Sequence, residues 1–273
     1  LVRTRTGQYD KSIEDYSLAI AADPNFTAAY YVRGLTYGRK GHYDRETEDY
    51  SRALATSPDL APPGFPPELQ DPDGPDGEIE SFTRAIGRDP DSAWAHYSRG
   101  IAYRMKGKWD LAIRDLDRAL TLDPRHPWAY YHRAAARRAR GDFAGAMDDY
   151  LRALEEDPEL PWAFYNLGLL WRRQKQYGRA VENLSRALAV DPNYSWAYFD
   201  RGLAYQMQGR HDRAVEDLSR GKELAPNFSW THYYLAGSYL HLGRREQAVK
   251  GMREAARLGN PEARRWLREN GLE

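Results

Sequence analysis

The chain has 273 residues, 40 basic and 40 acidic side chains and no net charge, so no global field draws it to nucleic acid or to an anionic membrane. Without cysteine it has no disulfide, no thiolate chemistry and no cysteine-held zinc, and its apolar runs fall far short of the ~20 residues that cross a bilayer. Length alone suggests one large or two medium domains, but a fixed internal period overrides that estimate.

The chain opens "LVRTRTGQYDKSIEDY", with no initiator methionine and no signal-peptide pattern. Counted by the period, Leu1 falls inside a first helix, so residues 1–26 read as a truncated unit with the N-terminus cut, and no compartment can be read. Pro24, Pro58, Pro90, Pro124, Pro158, Pro192 and Pro226 mark the unit ends, mostly 34 residues apart. We number each unit so that this proline is position 32. Residues 27–60 form a full unit. Residues 61–92 form a damaged one: "APPGFPPELQDPDGPDG" (61–77) replaces the first helix with six prolines and three glycines, and the second helix is expected to resume at "EIESFTRAIGRDP". The insert is a tolerated loop, or a hinge or polyproline ligand for a groove. Its "DPDGPDGEI" is not a calcium loop, because one residue too many separates the acidic positions and Thr83 stands where a bidentate glutamate belongs.

Five further units run from 93 to about 260. In "AWAHYSRGIAYRMKGKWDLAIRDLDRALTLDPRH" two amphipathic segments meet at Gly107, and a proline follows the second, the pattern of a helical hairpin. Gly41, Gly107, Gly141, Gly209 and Gly243 share that turn position, where a left-handed residue ends a helix; Lys175 departs from it, at a cost in strain. Small residues at positions 8 and 20 (Gly100 with Ala112, Gly202 with Ala214) let paired helices approach, and positions 24, 27 and 28 give the second helix an apolar stripe. No unit can bury this face alone, so the units must stack. "NPEARRWLRENGLE" reads as a capping helix within 261–273, with Trp266 and Leu267 on the last hairpin and Arg264, Arg265, Arg268 and Glu269 in water.

A bulky residue near position 4, Gly or Ala at 8, Tyr at 11, Ala at 20, an apolar residue at 24, Ala at 27 and Pro at 32 recur in register. This pattern resembles the tetratricopeptide repeat (TPR) over nearly the whole chain. The resemblance implies an all-α solenoid of helix-turn-helix units forming a right-handed superhelix, with a concave groove lined by the first helices, and it implies no catalysis.

Within the repeat, arginine at position 7 is matched by aspartate at position 23: Arg33 with Asp49, Arg99 with Asp115, Arg133 with Asp149, and Arg201 with Asp217. Where position 7 is Leu167 or Leu235, position 23 is Asn183 or Gly251. A partly buried arginine needs a carboxylate and leucine does not, so these are read as structural ion pairs between the two helices.

Nothing in the chain resembles a phosphate loop, a nucleophile elbow or a metal-ligand set. His96 and His232 stand at position 4 as packing residues, and His132 faces the groove without a second ligand. No enzyme activity, cofactor or metal is expected.

Positions 2, 5, 9, 12 and 13 lie opposite the packing face of the first helix, the side that the resemblance makes the groove. Position 2 carries Trp94, Trp128, Trp162, Trp196 and Trp230; position 5 carries Tyr97, Tyr131, Tyr165, Phe199 and Tyr233. Arg104, Arg138 and Arg172 sit at position 12, with Arg39 and Arg173 at 13. An aromatic rail thus runs beside an arginine row; the alternative for Trp162, Trp196 and Trp230 is a staple onto Leu160, Tyr194 and Phe228 just ahead of them. Such a surface suits an extended peptide with aromatic or proline side chains and some acidic residues. The lysine–asparagine clamp by which some family members hold a chaperone's terminal carboxylate wants Lys at 5 and Asn at 9; these positions are aromatic and apolar here, and Asn166 alone resembles part of it. The leading reading is a protein-interaction scaffold that binds a partner peptide or copies of itself. The alternatives are a regulatory or targeting region of a larger enzyme, and an aromatic groove stacking bases or sugars, of which nucleic acid is disfavoured by the zero net charge.

Overall fold

A computed structural model describes residues 9–24, 29, 30, 33, 36, 37, 45, 49 and 74–272. Among them the regular structure is helical throughout, in thirteen helices. The chain divides into two compact units, Leu1–Asp142 and Phe143–Glu273. Gly41, Arg39 and the proline-rich stretch up to residue 73 lie outside the described residues.

The first unit contains α1 (Tyr9–Ala22), α2 (Gly74–Arg88), α3 (Ala93–Met105), α4 (Trp109–Leu122) and α5 (Pro127–Arg140). Helices α2 to α5 pack in chain order, and α3 also touches α5. Helix α2 begins earlier than the sequence predicts: the "GPDG" of residues 74–77 is already helical. A proline is tolerated in the first turn because the N–H it lacks has no partner inside the helix there. The core forms where three helices meet, with Tyr97 of α3, Leu116, Ala119 and Leu120 of α4, and Ala129 of α5 in one cluster.

The second unit contains α6 (Phe143–Glu156), α7 (Pro161–Arg173), α8 (Tyr177–Val190), α9 (Ser195–Met207), α10 (His211–Leu224), α11 (Ser229–His241), α12 (Arg245–Arg257) and α13 (Pro261–Glu269). Each packs on the next, and α7, α9 and α11 touch in succession. Trp266 and Leu267 of α13 join Ala236, Met252 and Ala255 in the final cluster, and Arg264, Arg265, Arg268 and Glu269 are exposed.

The hairpin turns share one geometry. Gly107, Gly209 and Gly243 adopt φ 69°, 73° and 71°, and Lys175 adopts φ 60° in the same place. Each turn closes with the same two backbone bonds, for example Lys108 N–H to Tyr103 O (2.9 Å) and Gly107 N–H to Arg104 O (3.0 Å), or Gln176 N–H to Trp171 O (2.9 Å) and Lys175 N–H to Arg172 O (2.9 Å). These satisfy helix-end carbonyls, and the left-handed conformation costs a non-glycine residue roughly 1–2 kcal/mol. Close approach explains the small residue at position 8: a Cβ on Gly168 would stand 2.6 Å from Leu184 Cγ, and one on Gly202 2.7 Å from Leu218 Cγ.

Arginine at position 7 ties three helices together. Arg201 donates through Nε to Asp217 (2.7 Å), through one terminal nitrogen to the other oxygen of Asp217 (2.7 Å), and through the second to Ser185 Oγ of the preceding repeat (2.9 Å). Arg99 does the same with Asp115 (2.7 and 2.8 Å) and Thr83 (3.1 Å), and Arg33 with Asp49 (2.7 and 2.6 Å) and Ser17 (3.0 Å). Arg133 donates to Asp117 of the preceding repeat at 2.6 Å; its expected partner Asp149 belongs to the other unit and that pair stays an expectation. The partner sixteen residues back was missed in the sequence reading. Ser17, Thr83, Asp117 and Ser185 each precede an arginine at that distance and Leu151 precedes Leu167, but Ser219 precedes Leu235, so the spacing carries the signal only in part.

Candidate functional site

In each unit the residues opposite the packing face of the first helices gather aromatic rings, but the rings are covered to very different degrees. In the second unit Trp162 is only 7 % exposed, whereas Trp196 is 41 % exposed. Trp162 is therefore a packing residue as the chain stands. Trp196 lies edge-on to Phe228 (4.7 Å between ring centres) and Phe199 (6.1 Å), and Phe199 in turn meets Phe228 at 5.2 Å and Tyr234 at 5.8 Å. Half-buried Trp230 continues the cluster against Tyr233 (5.7 Å) and Tyr234 (5.9 Å). Trp196 thus leans forward on the loop residue before the next first helix; Tyr194, the partner expected from sequence, pairs its ring with Tyr165 at 4.9 Å.

The arginine row is not a row of free cations. Arg172 pairs with Asp200 at 3.0 Å, and the Tyr165 hydroxyl donates to the same carboxylate at 2.8 Å. Asp200 is buried, and burial raises its carboxyl above the usual range although Arg172 and the Tyr165 hydroxyl pull it down. Arg173 stacks its guanidinium 4.1 Å from the Phe143 ring centre. At the next step Gln206 Nε2 donates to Tyr234 O (2.7 Å) and Ser238 Oγ (2.6 Å). Position 12 of one repeat thus reaches position 6 of the next, 28 residues on. A reading confined to single repeats does not contain that relation.

In the first unit Trp94 is half-buried and lies edge-on to Phe82 of α2 at 5.3 Å. Tyr97 is only 6 % exposed, a core residue and not an open rung. Its ring lies 4.5 Å from His126 and 5.8 Å from His132, and burial raises its phenol well above the usual value. Half-buried Trp128 and Tyr131 lie 6.2 and 5.2 Å from the His132 ring. His132 is 2 % exposed, and neither of its ring nitrogens has a hydrogen-bond partner. Burial pushes its pKa well below 6.5, and the charge of Arg104 and the neighbouring His126 push it further. Arg104 is half-buried with Nε sealed from solvent and unbonded, and Arg138 is exposed.

The two histidines at position 4 serve packing. The Nε2–H groups of His96 and His232 donate to the carbonyls of Pro90 (3.1 Å) and Pro226 (2.8 Å) in the loops ahead of them. Among the described residues no group of three or more His, Cys, Asp or Glu side chains is placed to hold a metal ion, and no helix is long and apolar enough to cross a membrane.

These elements match known repeat proteins. A family model described as TPR repeat matches residues 2–41, 134–174 and 170–209, and two models described as tetratricopeptide repeat match 93–126 and both 27–60 and 197–228. No curated protein matches. Among solved structures, YrrB, described as a TPR protein with an unusual peptide-binding site, is 24% identical with a TM-score of 0.59 over 67% of this chain and 94% of its own. A crystal structure of MamA is 27% identical with a TM-score of 0.56, over 60% of this chain and 96% of its own. A MamA fragment from Desulfovibrio magneticus RS-1 is 20% identical with a TM-score of 0.55, over 66% of this chain and 94% of its own.

Proposed function

We propose that this chain, which belongs to the tetratricopeptide repeat family, is a non-catalytic protein-interaction scaffold that binds an extended partner peptide on the aromatic face of its first helices. The carrying observation is Trp196, 41 % exposed on a platform made by Phe199 and Phe228. A folded chain gains little from an open tryptophan, whereas a partner that covers it gains a large apolar area together with an N–H donor. Proline and aromatic side chains of a ligand stack there. The internal pairing of Arg172 with Asp200 makes the adjoining position electrically balanced, so acidic ligand residues are drawn to arginines without such a partner. That YrrB has a peptide-binding site agrees with this reading, as an analogy of fold.

The test is a panel of extended peptides rich in proline and aromatic residues, with and without acidic positions, measured by calorimetry against the chain and its Trp196→Ala variant. A hot-spot tryptophan predicts a loss of ~2 kcal/mol, about 30-fold in affinity, with little change in melting. Peptides bound equally by both proteins would remove the reading.

A further inference from the structure

Three residues of the second unit recur in the first in equivalent positions, with one exchange. Tyr165, Arg172 and Asp200 become Tyr97, Arg104 and His132, each 68 residues (two 34-residue periods) earlier. In the second unit the phenol and the guanidinium both reach the Asp200 carboxylate, at 2.8 and 3.0 Å. In the first unit the same tyrosine and arginine positions face an imidazole. Arg104 has no ion pair there, and both nitrogens of His132 are buried without a partner. The stack has the donors for a carboxylate and lacks the carboxylate.

We propose that Arg104 and His132 form a receptor for one carboxylate of the bound peptide, an aspartate or glutamate side chain, which pairs with Arg104 as Asp200 pairs with Arg172 in the equivalent stack. The proposal rests on the scaffold reading for the identity of the ligand, and on the site's own geometry for its chemistry. Arg104 is the half-exposed member, so the anion enters along it and meets the imidazole behind it. A carboxylate between the two gives the guanidinium the charge partner it lacks and reverses the electrostatics of the histidine, so that His132 takes a proton from solvent as the anion arrives. Arg104 and Tyr97 come from α3, and Tyr131 from α5 itself. His126 leads into α5 with Nδ1 accepting from Ala129 N–H, and its pKa is lowered by burial against the opposing pull of Asp123. From α4, Asp117 is bonded to Arg133.

The experiment follows the His132 imidazole by nitrogen-15 NMR in the unaltered chain, its signal assigned with His132→Asn. The midpoint is read without addition, with N-acetylglutamate whose α-carboxyl is blocked as the methylamide, and with the equally blocked N-acetylglutamine as the neutral control, at about 0.1 M and matched ionic strength. N-acetylglutamate should raise the midpoint and the amide should not. Uptake of one proton makes the affinity rise about tenfold for each pH unit descended between the bound and free midpoints. Arg104→Gln should abolish the response. An unmoved midpoint, or equal shifts with the two probes, would overturn the receptor. If peptides bind at Trp196 while acidic ones leave His132 unmoved, the scaffold stands and the receptor falls. If N-acetylglutamate moves His132 while no peptide binds, the receptor stands and the scaffold reading falls.

Discussion

The ion pair at positions 7 and 23 can be tested against a control that the chain itself contains. In Arg201→Leu, Asp217 loses both bonds at 2.7 Å while remaining 5 % exposed, and Ser185 loses its bond at 2.9 Å. An uncompensated buried charge of this kind costs roughly 3–5 kcal/mol. The chain's own alternative is Leu167, 1 % exposed, with Asn183 at position 23 turned back to the Arg179 carbonyl at 2.9 Å. Arg201→Leu combined with Asp217→Asn copies that solution, and should return to within about 1 kcal/mol of the parent because no charge is left to compensate. Asp217→Asn alone should cost less than Arg201→Leu, since the guanidinium retains 18 % of its exposure and can be hydrated. The assay is guanidinium unfolding by circular dichroism, with hydrogen exchange in α9 and α10, because repeat arrays need not unfold in one step. Additive losses in the double variant would refute the coupling, and a loss below about 1 kcal/mol in Arg201→Leu would refute the burial argument.

Lys175→Gly removes the one left-handed non-glycine residue among those described and should stabilise by ~0.5–1 kcal/mol, the strain relieved exceeding the extra freedom of the unfolded chain; a lower melting temperature would contradict it. Gly202→Ala brings a methyl to 2.7 Å from the fully buried Leu218 and should cost about 1–3 kcal/mol in denaturant titrations, whereas Gly178→Ala, with nothing within 4 Å, should be neutral or gain up to about 1 kcal/mol. His132 binds its proton less readily folded than unfolded, so its contribution is complete above the unfolded value near 6.5 and is lost as pH falls below it; His126 acts in the same sense. Thermal melts from pH 7.5 to 5 should show the fall, and His132→Asn should reduce it; an unchanged slope would contradict the assignment.

What could be read in the sequence was whatever the period repeats within one unit. Glycine at the hairpin turn, glycine against leucine across it and arginine with aspartate are demands of the backbone or of a buried charge, and they hold wherever the repeat holds. The Trp ladder was legible as a ladder and illegible as a surface. Its members share one position, yet Trp162 and Trp196 differ from 7 to 41 % in exposure. Position 34, which supplies the ring that Trp196 leans on, is Leu160, Tyr194 or Phe228 from one unit to the next, so the surroundings of the ladder do not repeat with it. The arginine row misled for the same reason, since Asp200 cancels Arg172 from 28 residues away.

The contact between position 12 and position 6 of the next repeat therefore separates scaffold from recognition. The fold asks only that the two side chains fit. Arg172 meets Asp200 and the charge is cancelled; Gln206 meets the Tyr234 carbonyl and Ser238 and the polarity is satisfied without charge. Arg104 acts on His132 through its charge, and both imidazole nitrogens stay without a bond. Three stacks with one backbone arrangement thus offer a ligand three different surfaces, and zero net charge for the whole chain conceals the difference. A partner is selected at such stacks through what each leaves unpaired, since groups already satisfied within the chain gain little by exchanging one partner for another.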